Sequence, residues 1–142
     1  MKSFAEKQIN PEELKLFEDI RKVFLELPEV DLGTDADGRP IPVSCHAITR
    51  AIAACFPVEL KDGYFGRAKW QHSWLTTPHG NTIDLYPWAA VGGPILLITR
   101  DHSPWRPLFC EGRLRNLDTE MFRQQTAIVT HAVRATLARI NH

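Results

Sequence analysis

The stretch "SCHAITRAIAACFP", residues 44–57, predicts a helix that begins with a cysteine. Ser44 is a preferred capping residue, apolar residues recur at helical spacing, and Pro57 ends the pattern. A thiol in the first turn of a helix lies near unpaired N–H groups and the positive end of the helix dipole, which lower its pKa. Cys45 is therefore predicted to be either a nucleophile or a small apolar core residue.

A histidine and an aspartate downstream fit the first possibility. The segments "WQHSWL", residues 70–75, and "NTIDLYP", residues 81–87, predict two strands of a hairpin joined by "TTPHG". A register centred on Pro78 makes His72 and Asp84 direct neighbours, and one centred on His79 makes them diagonal neighbours. Either register lets an imidazole meet a carboxylate, as a general base and its orienting group require.

Structural interpretations of these residues stay open. Free cysteines are commonly buried and inert, and Asp84 points to solvent if the apolar residues beside it face the core. Zinc is the competing chemistry, because Cys45, His46, His72 and Asp84 are all ligand types. The sequence has neither the C-x-x-C nor the H-E-x-x-H spacing that would favour zinc.

The remainder of the chain predicts one α+β domain over residues 1–142, with helices at both ends. Asn10 and Pro11 open the first helix, and Pro28 ends it. Residues 28–43 are predicted to be a loop with a turn at 35–38. Asp118 is predicted to cap the last helix.

Three further predictions concern the sheet. In "VELKDGYF", residues 58–65, the Asp62-Gly63 pair predicts a turn that interrupts a short strand. A turn at residues 92–94 is expected to precede the strand "ILLITR". Finally, "DHSPWRPLF", residues 101–109, is too rich in proline for more than a loop or an edge, so the sheet is expected to end there.

Composition restricts the partners. The 142 residues include 17 basic and 17 acidic side chains and no long run of either sign, which predicts neither a nucleic-acid nor a membrane partner. Three cysteines without paired spacing indicate free thiols rather than a disulfide framework, and Cys55 and Cys110 are expected to be structural. The sequence has no recognisable signal peptide or membrane span, so a cytoplasmic location is expected.

Four motifs in chain order resemble the transglutaminase-like branch of the papain-like fold. They are Cys45 at the start of a helix, "DGYF" ending at residue 65, "HSW" at 72–74 and "IDLYP" at 83–87. The resemblance covers about residues 43 to 88. It implies that the helix carrying Cys45 packs on an antiparallel sheet carrying His72 and Asp84, with terminal helices flanking this core.

The resemblance also implies a chemistry. Cys45 would be the nucleophile, His72 the base and later the acid, and Asp84 the residue that orients His72. The family transfers acyl groups through a thioester and needs no cofactor. Hydrolysis of a peptide or side-chain amide is therefore expected, with a peptide or protein as substrate. Residues 30–44 contain no Gln, Asn or Trp, so no side chain is assigned to the oxyanion hole.

Three residues are predicted to line the substrate groove: His46, Trp74 and Trp88. His46 follows Cys45 on the helix and points about 100° away, which favours a groove wall over the base. Two alternatives stay open for the function. One is an inactive relative that binds a peptide or protein, and the other is a transglutaminase or acyltransferase that uses an amine acceptor.

Overall fold

A computed structural model describes residues 9–86, 95–100 and 106–141. In this part of the chain, three helices pack with one five-stranded sheet whose neighbouring strands are all antiparallel. The elements are helices α1 (Pro11–Glu26), α2 (Cys45–Cys55) and α3 (Glu120–Ile140), and strands β1 (Glu59–Phe65), β2 (Trp70–Thr76), β3 (Thr82–Asp84), β4 (Leu96–Ile98) and β5 (Phe109–Glu111). The mixed α+β class predicted from the sequence is therefore confirmed.

The helix starts follow capping chemistry. The Asn10 side chain accepts a hydrogen bond from the N–H of Glu12 at 2.7 Å, and Ser44 accepts one from Ala47 at 3.1 Å, as the sequence predicts. The predicted cap of the last helix is wrong by one residue. Thr119 caps α3 instead of Asp118, whose carboxylate pairs with an arginine of the first turn.

One prediction about the sheet is wrong, and another is confirmed in part. The Asp62-Gly63 pair forms no turn, because β1 runs through it without interruption. The loop or edge expected at residues 101–109 leads into β5, an edge strand that begins at Phe109 and extends the sheet to Glu111, giving the order β4-β3-β2-β1-β5. Gly63 permits this pairing, since a Cβ there would lie 2.0 Å from the carbonyl oxygen of Cys110.

The β2–β3 hairpin forms with the register centred on His79. Leu75 pairs with Ile83 and Thr76 with Thr82. This register makes His72 and Asp84 diagonal neighbours, one of the two arrangements predicted above. The predicted turn at residues 92–94, between β3 and β4, lies outside the described residues.

Helix α2 packs against α3, β1 and β2. One face of the sheet contributes Leu75 and Ile83 to the core, and all three helices pack there. The buried apolar residues of this core are Ile20, Val23, Ala47, Ile48, Ala51, Ile52, Leu75, Ile83, Leu85, Val129 and Val133. The start of α2 is thereby held against the sheet.

A buried carboxylate connects α1 to the hairpin loop. Glu13 is 2% exposed, and one of its oxygens accepts hydrogen bonds from the Thr77 hydroxyl and from the Asn81 side chain, the latter at 3.1 Å. Asn81 in turn accepts a hydrogen bond from the backbone of Arg100. This network holds the loop of the hairpin that carries His72 and Asp84.

None of the helices in the described ranges combines the length and the apolar character that a membrane span requires.

Candidate active site

Cys45 is the first residue of α2, and its side chain is partly exposed. The Ser44 hydroxyl accepts the N–H of Ala47, and the Ser44 carbonyl accepts that of Ile48. Among the described residues, the first-turn donors that remain beside the thiol are therefore the N–H groups of Cys45 and His46. Such groups stabilise negative charge on a sulfur or an oxygen near the helix start.

His72 and Asp84 form a buried pair. The two side chains are each 2% exposed, and His72 Nε2 lies 2.8 Å from Asp84 Oδ2. The other carboxylate oxygen accepts the backbone N–H of Tyr86 at 3.0 Å. The solvent-facing interpretation of Asp84 is thus wrong, because both carboxylate oxygens are held inside the protein.

The pair fixes the tautomer of the imidazole. A carboxylate only accepts hydrogen bonds, so Nε2 of His72 carries the hydrogen that it donates to Asp84. Nδ1 is then the nitrogen that faces the thiol, and it lies 3.8 Å from Cys45 Sγ. Thiol, imidazole and carboxylate therefore follow one another in the order that a cysteine nucleophile with an oriented base requires.

Opposite pKa shifts accompany this arrangement. Burial acts to raise the pKa of Cys45, but hydrogen bonds and positive charge from His46 and His72 outweigh it and lower the pKa from 9.0 to about 6. Burial acts to lower the pKa of His72, but Asp84 and Cys45 outweigh it and raise the pKa from 6.5 to about 9. A thiolate beside an imidazolium is favoured between these values.

Aromatic rings exclude water from His72. Trp74 stacks on the imidazole with an interplanar angle of 26°, and Phe65 and Phe109 lie 5.8 Å and 6.3 Å from it between ring centroids. Phe109 also makes an edge contact with Trp74. Strand β5 therefore helps to enclose the base, although it follows the hairpin by some distance in the sequence.

A cavity of about 740 Å³ lies beside the start of α2. Val43 and Ile48 line it, and Ile48 is one helical turn after Cys45. Tyr86 lines it too, and both burial and the charge of Cys45 raise the pKa of Tyr86. The described lining residues are Phe24, Leu27, Pro28, Glu29, Val30, Asp31, Pro40, Ile41, Pro42, Val43, Ile48 and Tyr86. The wall is mostly apolar.

The predicted groove residues have different positions. His46 is half-buried, and its Nδ1 contacts Ser73 Oγ at 2.7 Å. Trp74 is 3% exposed and supports the imidazole of His72. Trp88 lies outside the described residues. A role of any of them in lining a groove stays a prediction.

Cys55 and Cys110, both expected to be structural, differ in burial. Cys55 is half-buried and packs against the core, whereas Cys110 is exposed on β5. The structural role expected for Cys110 therefore has no burial to support it. Within residues 9–86, 95–100 and 106–141, no three His, Cys, Asp or Glu side chains are arranged to hold a metal ion.

Sequence reasoning missed one part of the site, the contact between His46 and Ser73. The sequence does contain a hint of this contact. His46 directly follows Cys45 in "SCHA", and Ser73 directly follows His72 in "WQHSW", so a contact between the first members of these pairs brings the second members near each other. Because successive side chains of a strand point to opposite faces, the sequence predicts that only one of His72 and Ser73 contacts the start of α2. In the structure both of them do.

No family model matches the sequence, and comparisons with curated proteins and with solved structures returned no significant match.

Proposed function

We propose that the protein is a cysteine-dependent acyl-transfer enzyme that hydrolyses a peptide or side-chain amide, built on a transglutaminase-like or papain-like core. The observation that carries the proposal is the alignment of Cys45, His72 and Asp84 at 3.8 Å and 2.8 Å, with the carboxylate buried. A buried carboxylate is costly unless it is paired, and here the paired imidazole turns its other nitrogen to a thiol.

The chemistry follows from these positions. Nδ1 of His72 takes the proton of Cys45, and the thiolate attacks the carbonyl carbon of the substrate. The N–H groups at the start of α2 stabilise the resulting oxyanion. As the C–N bond breaks, His72 gives its proton to the leaving amine, and a thioester remains on Cys45. Water, deprotonated by His72, then releases the acid and restores the thiol. An amine in place of water would give the transglutaminase-type reaction.

The cavity beside α2 supports a substrate with an apolar side chain. Its walls are mostly apolar and include Ile41, Val43 and Ile48, with Glu29 and Asp31 as acidic members. Tyr86 lines it as well, and the charge of Cys45 acts on Tyr86. Pockets of this size and composition hold apolar groups and leave orientation to a few polar contacts. We assign it to the residue that carries the attacked carbonyl.

Alkylation of Cys45 by iodoacetamide is expected to have a pH midpoint of about 6, because only the thiolate displaces iodide. The shift is toward lower pH, so the rate falls as pH drops through that value and stays high above it. In His72→Gln the midpoint is expected to rise by at least about one unit, which makes labelling at pH 6 at least about fivefold slower. Peptide mass spectrometry measures labelling at each cysteine separately.

Exposed Cys110 provides a reference thiol within the same molecule. If Cys45 labels with an ordinary thiol midpoint in the parent protein, the activated pair does not exist and the enzyme proposal is overturned. The alternative of an inactive, peptide-binding relative would then account better for the cavity.

Filling the cavity is expected to reduce selectivity for an apolar side chain. The parent should hydrolyse the p-nitrophenyl ester of an N-acylated leucine faster than that of glycine, and Ile41→Trp should lower this preference by about tenfold. Ile41 lines the cavity and is only partly exposed. The ratio of kcat/KM for the two esters measures the effect.

Iodoacetamide is too small to need the cavity, so its reaction with Cys45 should not change in Ile41→Trp. Ile128→Trp is the matched control, since Ile128 is 46% exposed on α3. An unchanged leucine preference in a folded Ile41→Trp protein would assign the side chain of the substrate elsewhere.

A further inference from the structure

Two consecutive side chains of α2 meet two consecutive side chains of β2. Cys45 Sγ faces His72 Nδ1 at 3.8 Å, and His46 Nδ1 faces Ser73 Oγ at 2.7 Å. The mechanism proposed above uses only the first contact. The second brings another imidazole to the start of the same helix.

A chain of polar groups holds this second imidazole. Ser73 is 1% exposed, and its hydroxyl donates to Asp62 Oδ1 at 2.5 Å. Arg50 pairs with the other oxygen of Asp62 at 2.5 Å and also donates to the carbonyl of His46 at 3.1 Å. The network therefore contacts His46 at two places, its ring through Ser73 and its backbone carbonyl through Arg50.

Counting hydrogens fixes the tautomer of His46. Asp62 only accepts hydrogen bonds, so the single hydroxyl hydrogen of Ser73 is used there. Ser73 must then accept from His46, and Nδ1 of His46 carries a hydrogen. The other ring nitrogen is Nε2. His46 directly follows Cys45 in the first turn of α2, and its hydrogen bonding and positive charge lower the pKa of the thiol.

We propose that His46 is a positioning residue that stabilises the Cys45 thiolate together with His72, and that Ser73 and Asp62 hold it in the required orientation. The two histidines then have different roles. His46 keeps the sulfur deprotonated, while His72 carries protons during acyl transfer. The inference rests on the proposed reactivity of Cys45.

The charges around the thiol are consistent with this division. Within the described ranges, the titratable groups that interact electrostatically with Cys45 are His46 from α2, His72 from β2 and Tyr86 after β3. Asp84 acts on it through His72, and Asp62 and Arg50 act through Ser73. Two imidazoles, rather than one, lower the pKa of the thiol against the effect of burial.

The test compares the pH profile of Cys45 alkylation in the parent, His46→Gln, Ser73→Ala, His72→Gln and the double variant His46→Gln/His72→Gln. We expect His46→Gln to raise the midpoint by about one unit, so that labelling at pH 6 is about fivefold slower. Ser73→Ala should shift it in the same direction by less, and the double variant should behave as an ordinary thiol. His131→Gln, at an exposed position of α3, is the matched control.

Turnover of an acyl ester separates the two histidines. At a pH of about 9, where the thiol is ionised even without His46, His46→Gln should recover to within about threefold of the parent. His72→Gln should stay slow at every pH, because it lacks the proton carrier.

Two results would overturn the division of roles while leaving the enzyme proposal intact. One is superposition of the His46→Gln and Ser73→Ala profiles on that of the parent. The other is a His72→Gln profile identical to that of the double variant. An ordinary thiol profile in the parent would instead refute the proposed function itself. Circular dichroism of each variant identifies any loss of fold, and the milder Ser73→Ala keeps the test decisive if His46→Gln does not fold.

Discussion

Cys45→Ser is expected to abolish turnover of an acyl ester, with a loss of about 10⁴-fold or more. A serine hydroxyl is far less acidic than a thiol, and the groups that ionise Cys45 do not suffice to deprotonate it. Serine is well tolerated at the start of a helix, so α2 should still form. Release of p-nitrophenolate measures the rate, and intact mass spectrometry should detect an acyl adduct on the parent but not on the variant.

Cys110→Ser is the matched control, because Cys110 is exposed on β5 and lies outside the proposed site. Its turnover should remain within about twofold of the parent, as is usual for surface substitutions. A Cys45→Ser protein that turns over at the parent rate would exclude Cys45 as the nucleophile. An acyl adduct found on another residue would lead to the same conclusion.

Asp84→Asn is expected to lower kcat by about 10⁴-fold, the size of effect seen when an orienting carboxylate is replaced by its amide. The carboxylate accepts the Nε2 hydrogen of His72 and thereby leaves Nδ1 free toward the thiol. An asparagine amide can donate to Nε2 instead, so the imidazole would carry its hydrogen on Nδ1 and could not accept the proton of Cys45. Ester hydrolysis measures kcat, and alkylation should show a higher midpoint.

The side chain of Asp84 is 2% exposed, so the unfolding midpoint must be measured alongside activity. Asp19→Asn is the matched control, since Asp19 is an exposed partner of Lys15 on α1. Parent-like kcat and an unchanged alkylation profile in a folded Asp84→Asn protein would make Asp84 a structural residue only.

Local patterns in the sequence predict much of the site. Capping residues and helical spacing predict that α2 begins at Cys45, and alternation in the hairpin puts His72 and Asp84 on one face. The choice between the two registers could not be made, because both satisfy that alternation. The conformation of the loop selects the register. The backbone N–H of Thr77 donates to the carbonyl of Asn81 at 2.8 Å, and Gly80 adopts a φ of +83°, which glycine accommodates easily.

The burial of Asp84 depends on residues distant in the sequence, and the hairpin alone does not reveal it. Ile83 and Leu85 face the helices, which would leave the other side of β3 in water. Phe109 on β5 packs against Phe65 and helps to cover that side, with 5.0 Å between ring centroids. Pairing of β5 with β1 is a non-local contact that the proline-rich sequence before it does not predict.

The buried hydrogen bonds of Glu13 also affect how the molecule assembles. The carboxylate lies near the start of α1, whereas Thr77 and Asn81, which donate to it, lie 64 and 68 residues later in the chain. These hydrogen bonds form only when the first helix docks on the hairpin loop, and contacts of such large sequence separation are associated with slow folding. The loop of the hairpin that carries His72 and Asp84 therefore gains its contacts with Glu13 only when both ends of this long interval have met.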